Sequence, residues 1–172
     1  YPGREIAEDG LALKIARRIL ASFEEASGLF PHWPSGSRRS SFRSHVACFA
    51  DLVYPIQALS YHHRMTGDRN ALEAAGRCAR VACERQGPHG QWWWHYDVRT
   101  GQVVEKYPVY SVHQDAMAPM AFFALQEAGG EDHSSSIRKG LDWLGAPPEI
   151  GFSLIDEEDI LAANLLFFGK SE

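Results

Sequence analysis

The stretch Gln86-Gly87-Pro88-His89-Gly90-Gln91-Trp92-Trp93-Trp94-His95-Tyr96 decides how this chain is organised. An Ala-rich, apolar-periodic segment halts at Gly87-Pro88, a helix stop, and a run of aromatic residues begins. The spacing Gln86-x-x-x-Gly90-x-Trp92 returns upstream as Glu24-x-x-x-Gly28-x-Phe30. Downstream it survives as a glycine alone, Pro147-x-x-x-Gly151-x-Ser153, and the three glycines stand 62 and 61 residues apart. Matched aromatic–histidine clusters follow the first two, Phe30-Pro31-His32-Trp33 and Trp93-Trp94-His95-Tyr96. Asp51-x-x-x-Pro55 and Asp115-x-x-x-Pro119 recur 64 residues apart, and each proline is followed 13 residues later by an acidic turn residue, Asp68 or Asp132. Four coincidences in one order mark a duplicated unit. They divide a single domain into units of about 5–67, 68–130 and 131–172.

Each unit is read as two helices and a long connection. Ile6, Leu11, Leu13, Ile15, Ile19, Leu20 and Phe23 repeat at mostly helical spacing and predict a helix over 5–26. Further helices are expected over 46–65, stopped by Gly67, over 69–85, and over 112–128, stopped by Gly129-Gly130. Two more follow, at 133–144 behind an Asp132 cap and at 156–168. Pro55 and Pro119 either kink their helices or sit in the first turn. Of the long connections 27–45 and 87–111, the second carries aromatic and β-branched runs around Asp97-Val98-Arg99-Thr100-Gly101. That pattern predicts a β-hairpin within 92–107. The expected class is therefore all-α, built of tandem helical hairpins with one small β-hairpin.

Gln86-x-x-x-Gly90-x-Trp92 at a helix end resembles the QW motif of the terpenoid cyclases, in which the Gln caps a helix end and the Trp ring stacks on it. The protein prenyltransferases share that architecture, the α/α toroid, and similar repeats build the (α/α) barrels of many sugar hydrolases, lyases and epimerases. The resemblance covers most of residues 5–153 as a repeat and implies about three hairpins of a toroid. Closed toroids of this kind use five to six, so a second copy or a longer chain is expected to complete the ring and cover the exposed apolar face. The apolar segment Ile160–Phe168 is expected to be buried. No Asp-x-Asp-Asp acid motif is present, and no Asp, Cys and His set falls on the zinc positions of the prenyltransferases. The resemblance thus implies an architecture more than a chemistry.

Composition narrows the partners. With 17 Lys and Arg against 22 Asp and Glu, the chain carries a formal charge of −5 and lacks the clustered basic surface that phosphate neutralisation needs. Nucleic acid is not an expected partner. No run of about 18 apolar residues is available to span a membrane, and no basic-then-apolar leader opens the sequence, so a cytoplasmic location is expected. Cys48, Cys78 and Cys83 cannot all pair and show no zinc-knuckle spacing. They are expected to pack in the core, and neither metal nor cofactor is expected.

Chemistry is sought where loops meet the starts of the Asp-x-x-x-Pro helices. His113 and Asp115 are acid–base candidates there, although two residues apart on a helix they point differently. His95, Tyr96 and Tyr110 are further proton donors or acceptors. Trp93, Trp94 and Tyr107 supply faces for a ligand, and Arg39 and Arg43 with His45 form a basic cluster suited to a carboxylate. Asp51 and Asp115 serve equally well as helix-terminal charges. Taken together, these residues lead us to expect a carbohydrate-active lyase or epimerase, less readily a hydrolase, on an acidic sugar or polysaccharide. The alternatives are an isoprenoid-binding toroid without the cyclase acid and a helical-repeat interaction protein.

Overall fold

The computed structural model describes residues 5–33, 43–111 and 113–155. Five α-helices occur among them: α1 (Glu5–Leu20), α2 (Ala50–Thr66), α3 (Arg69–Glu84), α4 (Ala118–Glu127) and α5 (Ser134–Gly145). Three strands accompany them, β1 (Val46–Cys48), β2 (Trp93–Asp97) and β3 (Gln102–Pro108), and a π-helical turn, His113–Met117, leads into α4.

The all-α expectation is wrong. The three strands form one antiparallel sheet in the order β1-β2-β3, so helices and sheet share the structure. The hairpin of β2 and β3 acquires a third strand from 46–48, a stretch expected to be helix. The physical reason lies in the residues just before α2. Val46-Ala47-Cys48 is short, β-branched at its start, and pairs with β2 in the register Val46↔Asp97, Ala47↔Tyr96 and Cys48↔His95. That register sends Ala47 and Tyr96, both fully buried, into the core and leaves Cys48 and His95 on the opposite face. Only after Phe49, whose N–H donates to the Trp94 carbonyl at 2.9 Å, does the chain turn into helix.

Turn chemistry sets the other boundaries. Gly67 closes α2 at φ +75° with its N–H on the His63 carbonyl, the left-handed termination that glycine permits. Asp68 caps α3 by accepting from the Asn70 N–H at 3.0 Å. The buried face of α3 is Ala71, Ala74, Ala75, Cys78, Ala79 and Ala82. Such small residues let α3 approach α2 closely. Pro55 stands inside α2, whereas Pro119 occupies the first turn of α4, where its missing N–H costs nothing. The π-turn ahead of it replaces helix expected from residue 112. The segment 156–168 and Arg39 lie outside the described residues.

The core runs from Leu52, Ile56 and Leu59 of α2 through Phe49 to Trp92 and on to Phe122 and Leu125 of α4. Trp92 is sandwiched between Phe49 at 5.4 Å and Phe122 at 5.6 Å between ring centroids. Gln86 donates to the Gly90 carbonyl at 2.8 Å and to the Ser136 carbonyl at 2.9 Å, tying the aromatic loop to α5. Gln114 does the same from the π-turn, accepting from the Trp92 N–H at 2.9 Å and donating to Gly140 at 3.1 Å. Among the described residues no helix is long and apolar enough to cross a membrane.

Candidate functional site

One rim of the molecule gathers several chemistry-bearing side chains. It consists of the start of α2, the π-turn, the loop ending at Trp33 and the face of the sheet turned away from the core. The register carries three polar residues across that face in a row, Cys48 opposite His95 and His95 opposite Glu105. A bulge between His95 and Tyr96 re-aims the strand, a usual role for such irregularities. His95 hydrogen-bonds Glu105, and Arg43 approaches the same carboxylate at 3.9 Å.

Two clusters stand above this row. In the first, Asp51, from the first turn of α2, accepts the Cys48 N–H at 2.7 Å, satisfying a backbone donor just ahead of the helix. Both its oxygens lie 3.0 Å from His32 Nδ1. Burial first, and then the Asp51 carboxylate, push the Cys48 thiol above its ordinary value. Its sulfur therefore stands as a thiol and is no activated nucleophile. In the second cluster, His113 receives or donates through both ring nitrogens, Nε2 to the Tyr54 hydroxyl at 3.2 Å and Nδ1 to Ser111 Oγ at 3.1 Å. The Trp94 ring lies 5.7 Å from the imidazole and the Tyr54 ring 5.8 Å.

Tyr54 links the two clusters. It lines a cavity of about 330 Å³ together with His32, Asp51 and the apolar Ile15, Ile19 and Phe30. A second cavity, of about 260 Å³, is lined by His32, Trp33, Arg43, Val46, Cys48 and His95. His32 borders both. An apolar compartment thus adjoins one whose walls carry two imidazoles and a guanidinium.

The expected site residues divide sharply. His113, Trp94, His95 and Arg43 reach this rim. Tyr96 does not: it is wholly buried, its hydroxyl 3.4 Å from the Trp93 N–H, and burial pushes its pKa upward. Trp93 is likewise a core residue. The Tyr110 ring is tilted against Trp143 at 5.4 Å and meets Tyr107 edge-on at 6.0 Å, an aromatic patch apart from both cavities. Asp115 is exposed on the π-turn, and His45 is half-buried beside β1, its carbonyl accepting from Val98. His32, Cys48, Asp51 and Tyr54 complete the rim but were not singled out together by the sequence. The available signal is Cys48-x-x-Asp51-x-x-Tyr54, two successive spacings of three across the start of a helix, facing the histidine of the first aromatic cluster.

No family model matches this chain, and neither does any curated protein or solved structure.

Proposed function

We propose that the chain is an acid–base enzyme acting on an acidic sugar, as a lyase or an epimerase. The observation that carries this is the Tyr54–His113 contact of 3.2 Å, beside the Trp94 ring and the rim cavities. A proton α to a uronate carboxylate is abstracted by one member of such a pair. The other protonates the leaving oxygen, giving elimination, or returns a proton to the opposite face, giving epimerisation. Ser111 on Nδ1 fixes the imidazole's orientation, and the indole offers an apolar face to a sugar ring. Arg43, although it also approaches Glu105 at 3.9 Å, adds positive charge at the rim that attracts a substrate carboxylate. Hydrolysis is less well served, because the rim carboxylates are engaged: Asp51 by His32 and the Cys48 N–H, Glu105 by His95 and Arg43. Two carboxyls at a defined separation are what glycoside hydrolysis usually needs.

The test is a panel of polyuronides incubated in D₂O. Unsaturated product reports elimination and deuterium at the carbon next to the carboxylate reports epimerisation. The parent protein is expected to turn over at least one member, and His113→Ala to lose about 10²- to 10⁴-fold in kcat. Absence of both signals across the panel, or an unchanged His113→Ala, refutes the proposal.

A second reading is favoured by one specific feature. Between α1 and α2 runs a groove of about 500 Å³ lined by Leu13, Ile15, Ile19, Ala58, Tyr61 and Met65, a surface suited to an isoprenoid chain. Saturable binding of a prenyl diphosphate, lost in Ile15→Asp, would promote it over the sugar. The exposed Ile15, Tyr61 and Met65 also fit the expectation that a second copy or a longer chain covers this face.

A further inference from the structure

We propose that His32, Cys48 and Asp51 form a binding site for a divalent transition-metal ion of the zinc class. One imidazole nitrogen, the Cys48 sulfur and one Asp51 oxygen all lie within 4.8 Å of one another. Two metal–ligand bonds of about 2.0–2.3 Å meeting at a tetrahedral angle hold their donors roughly 3.3–3.7 Å apart. The His32–Asp51 separation of 3.0 Å is close to that value. A tetrahedral ion would draw to that spacing donors that already stand within 4.8 Å of one another.

The donor set selects the ion. Sulfur, nitrogen and oxygen together suit zinc or cobalt and exclude magnesium and calcium, which take oxygen ligands alone. With the thiolate and carboxylate each contributing −1 and the imidazole neutral, the charge of a divalent cation is balanced. Binding expels the Cys48 thiol proton to solvent and moves the His32 proton to whichever ring nitrogen does not ligate. The support around the ligands is already present. The Cys48 N–H holds one Asp51 oxygen at 2.7 Å, the kind of second hydrogen bond that orients a ligating carboxylate. Cys48 sits on a strand locked by pairing to β2, and Asp51 on the first turn of α2. Three protein ligands leave a fourth position for solvent or a ligand, and His32 borders both cavities. This is the pattern of a reactive rather than a purely structural site. Among the described residues neither other cysteine belongs to a cluster of three potential ligands: Cys78 is enclosed in the core, and Cys83 faces Ser136 from α3.

The inference stands apart from the acid–base proposal, since metal content is measured without any substrate. The full chain, stripped with chelator and dialysed, is titrated with Zn²⁺ by calorimetry and with Co²⁺ by absorption. The expected result is one ion per chain, with a thiolate-to-cobalt charge-transfer band and the visible bands of tetrahedral cobalt. Cys48→Ser and His32→Ala, each shown folded by circular dichroism, should weaken binding beyond the roughly 10- to 100-fold typical of an outer-shell change, whereas Cys83→Ser should bind as the parent does. If the folded parent takes up no stoichiometric ion, or if both ligand variants bind as tightly as it does, there is no site here.

Discussion

Gly28 and Gly90 stand in equivalent places, whereas Asp51 and Asp115 do not. Each glycine has positive φ, +74° and +108°, and each packs its Cα against a backbone carbonyl 49 residues further on, Arg77 of α3 for one and Lys139 of α5 for the other. The acidic residues share the same sequence spacing, yet Asp51 binds a histidine and a backbone N–H while Asp115 is exposed on a π-turn. The two turns are alike where a helix must pass close to them, and the polar chemistry is concentrated at the start of α2 and its seam with the π-turn. Like spacing in the sequence accompanies like packing at the two glycines but unlike chemistry at the two aspartates.

The glycine pair offers the largest effect. A Cβ on Gly90 would lie 1.9 Å from the Lys139 carbonyl oxygen, whereas one on Gly28 meets a side-chain methyl of Val81 at 3.2 Å. Gly90→Ala is expected to cost about 4 kcal/mol or more, a backbone clash compounded by strain. Gly28→Ala should cost about 1–2 kcal/mol, mostly the left-handed conformation. Urea unfolding of both variants checks this, and equal losses would mean that the two turns are not packed as described. Next come the aspartates. Asp51→Asn weakens the contacts to His32 and Cys48 and should lower stability by about 1–2 kcal/mol. Asp115→Asn should stay within about 0.5 kcal/mol of the parent. A large effect at Asp115 would erase the contrast between the copies.

The smallest effect concerns pH. His133, just ahead of α5, is buried against Phe122 at 5.4 Å, and among the described residues its Nε2 has no hydrogen-bond partner. The residue 64 positions earlier is the exposed Arg69. Burial lowers the His133 pKa from 6.5, so near that value the unfolded chain binds more protons than the folded one. Stability due to the neutral ring is complete above pH 6.5 and declines as pH falls below it. Denaturation midpoints at pH 5 and pH 8 should therefore differ less in His133→Leu than in the parent.

The sequence made the scaffold easier to read than the site, for physical reasons. Glycines, prolines and caps act locally, so Gly67, Asp68 and the aromatic loop after Gly87 could be placed from their neighbours alone. The sheet could not, because β1 is only three residues long and exists through pairing with β2, about fifty positions away. An apolar trio preceding a helix looks like one more helical turn. The same long-range step hid the rim. His113 was recognisable at a helix start, but Tyr54, 59 residues earlier, meets it only once α2 and the π-turn pack side by side. Tyr96, conversely, reads as a proton-transfer residue in the sequence because its burial depends on which face of β2 meets the core, and alternation around a bulge does not reveal that.

The acid–base proposal puts proton transfer at Tyr54 and His113, where α2 meets the π-turn. The most direct measurement is kcat for Tyr54→Phe beside Asp115→Asn on whichever uronide the parent turns over. The account predicts a loss of about 10²-fold or more for Tyr54→Phe and near-parental turnover for Asp115→Asn. Parental turnover in Tyr54→Phe, with Asp115→Asn inactive but folded, would contradict it.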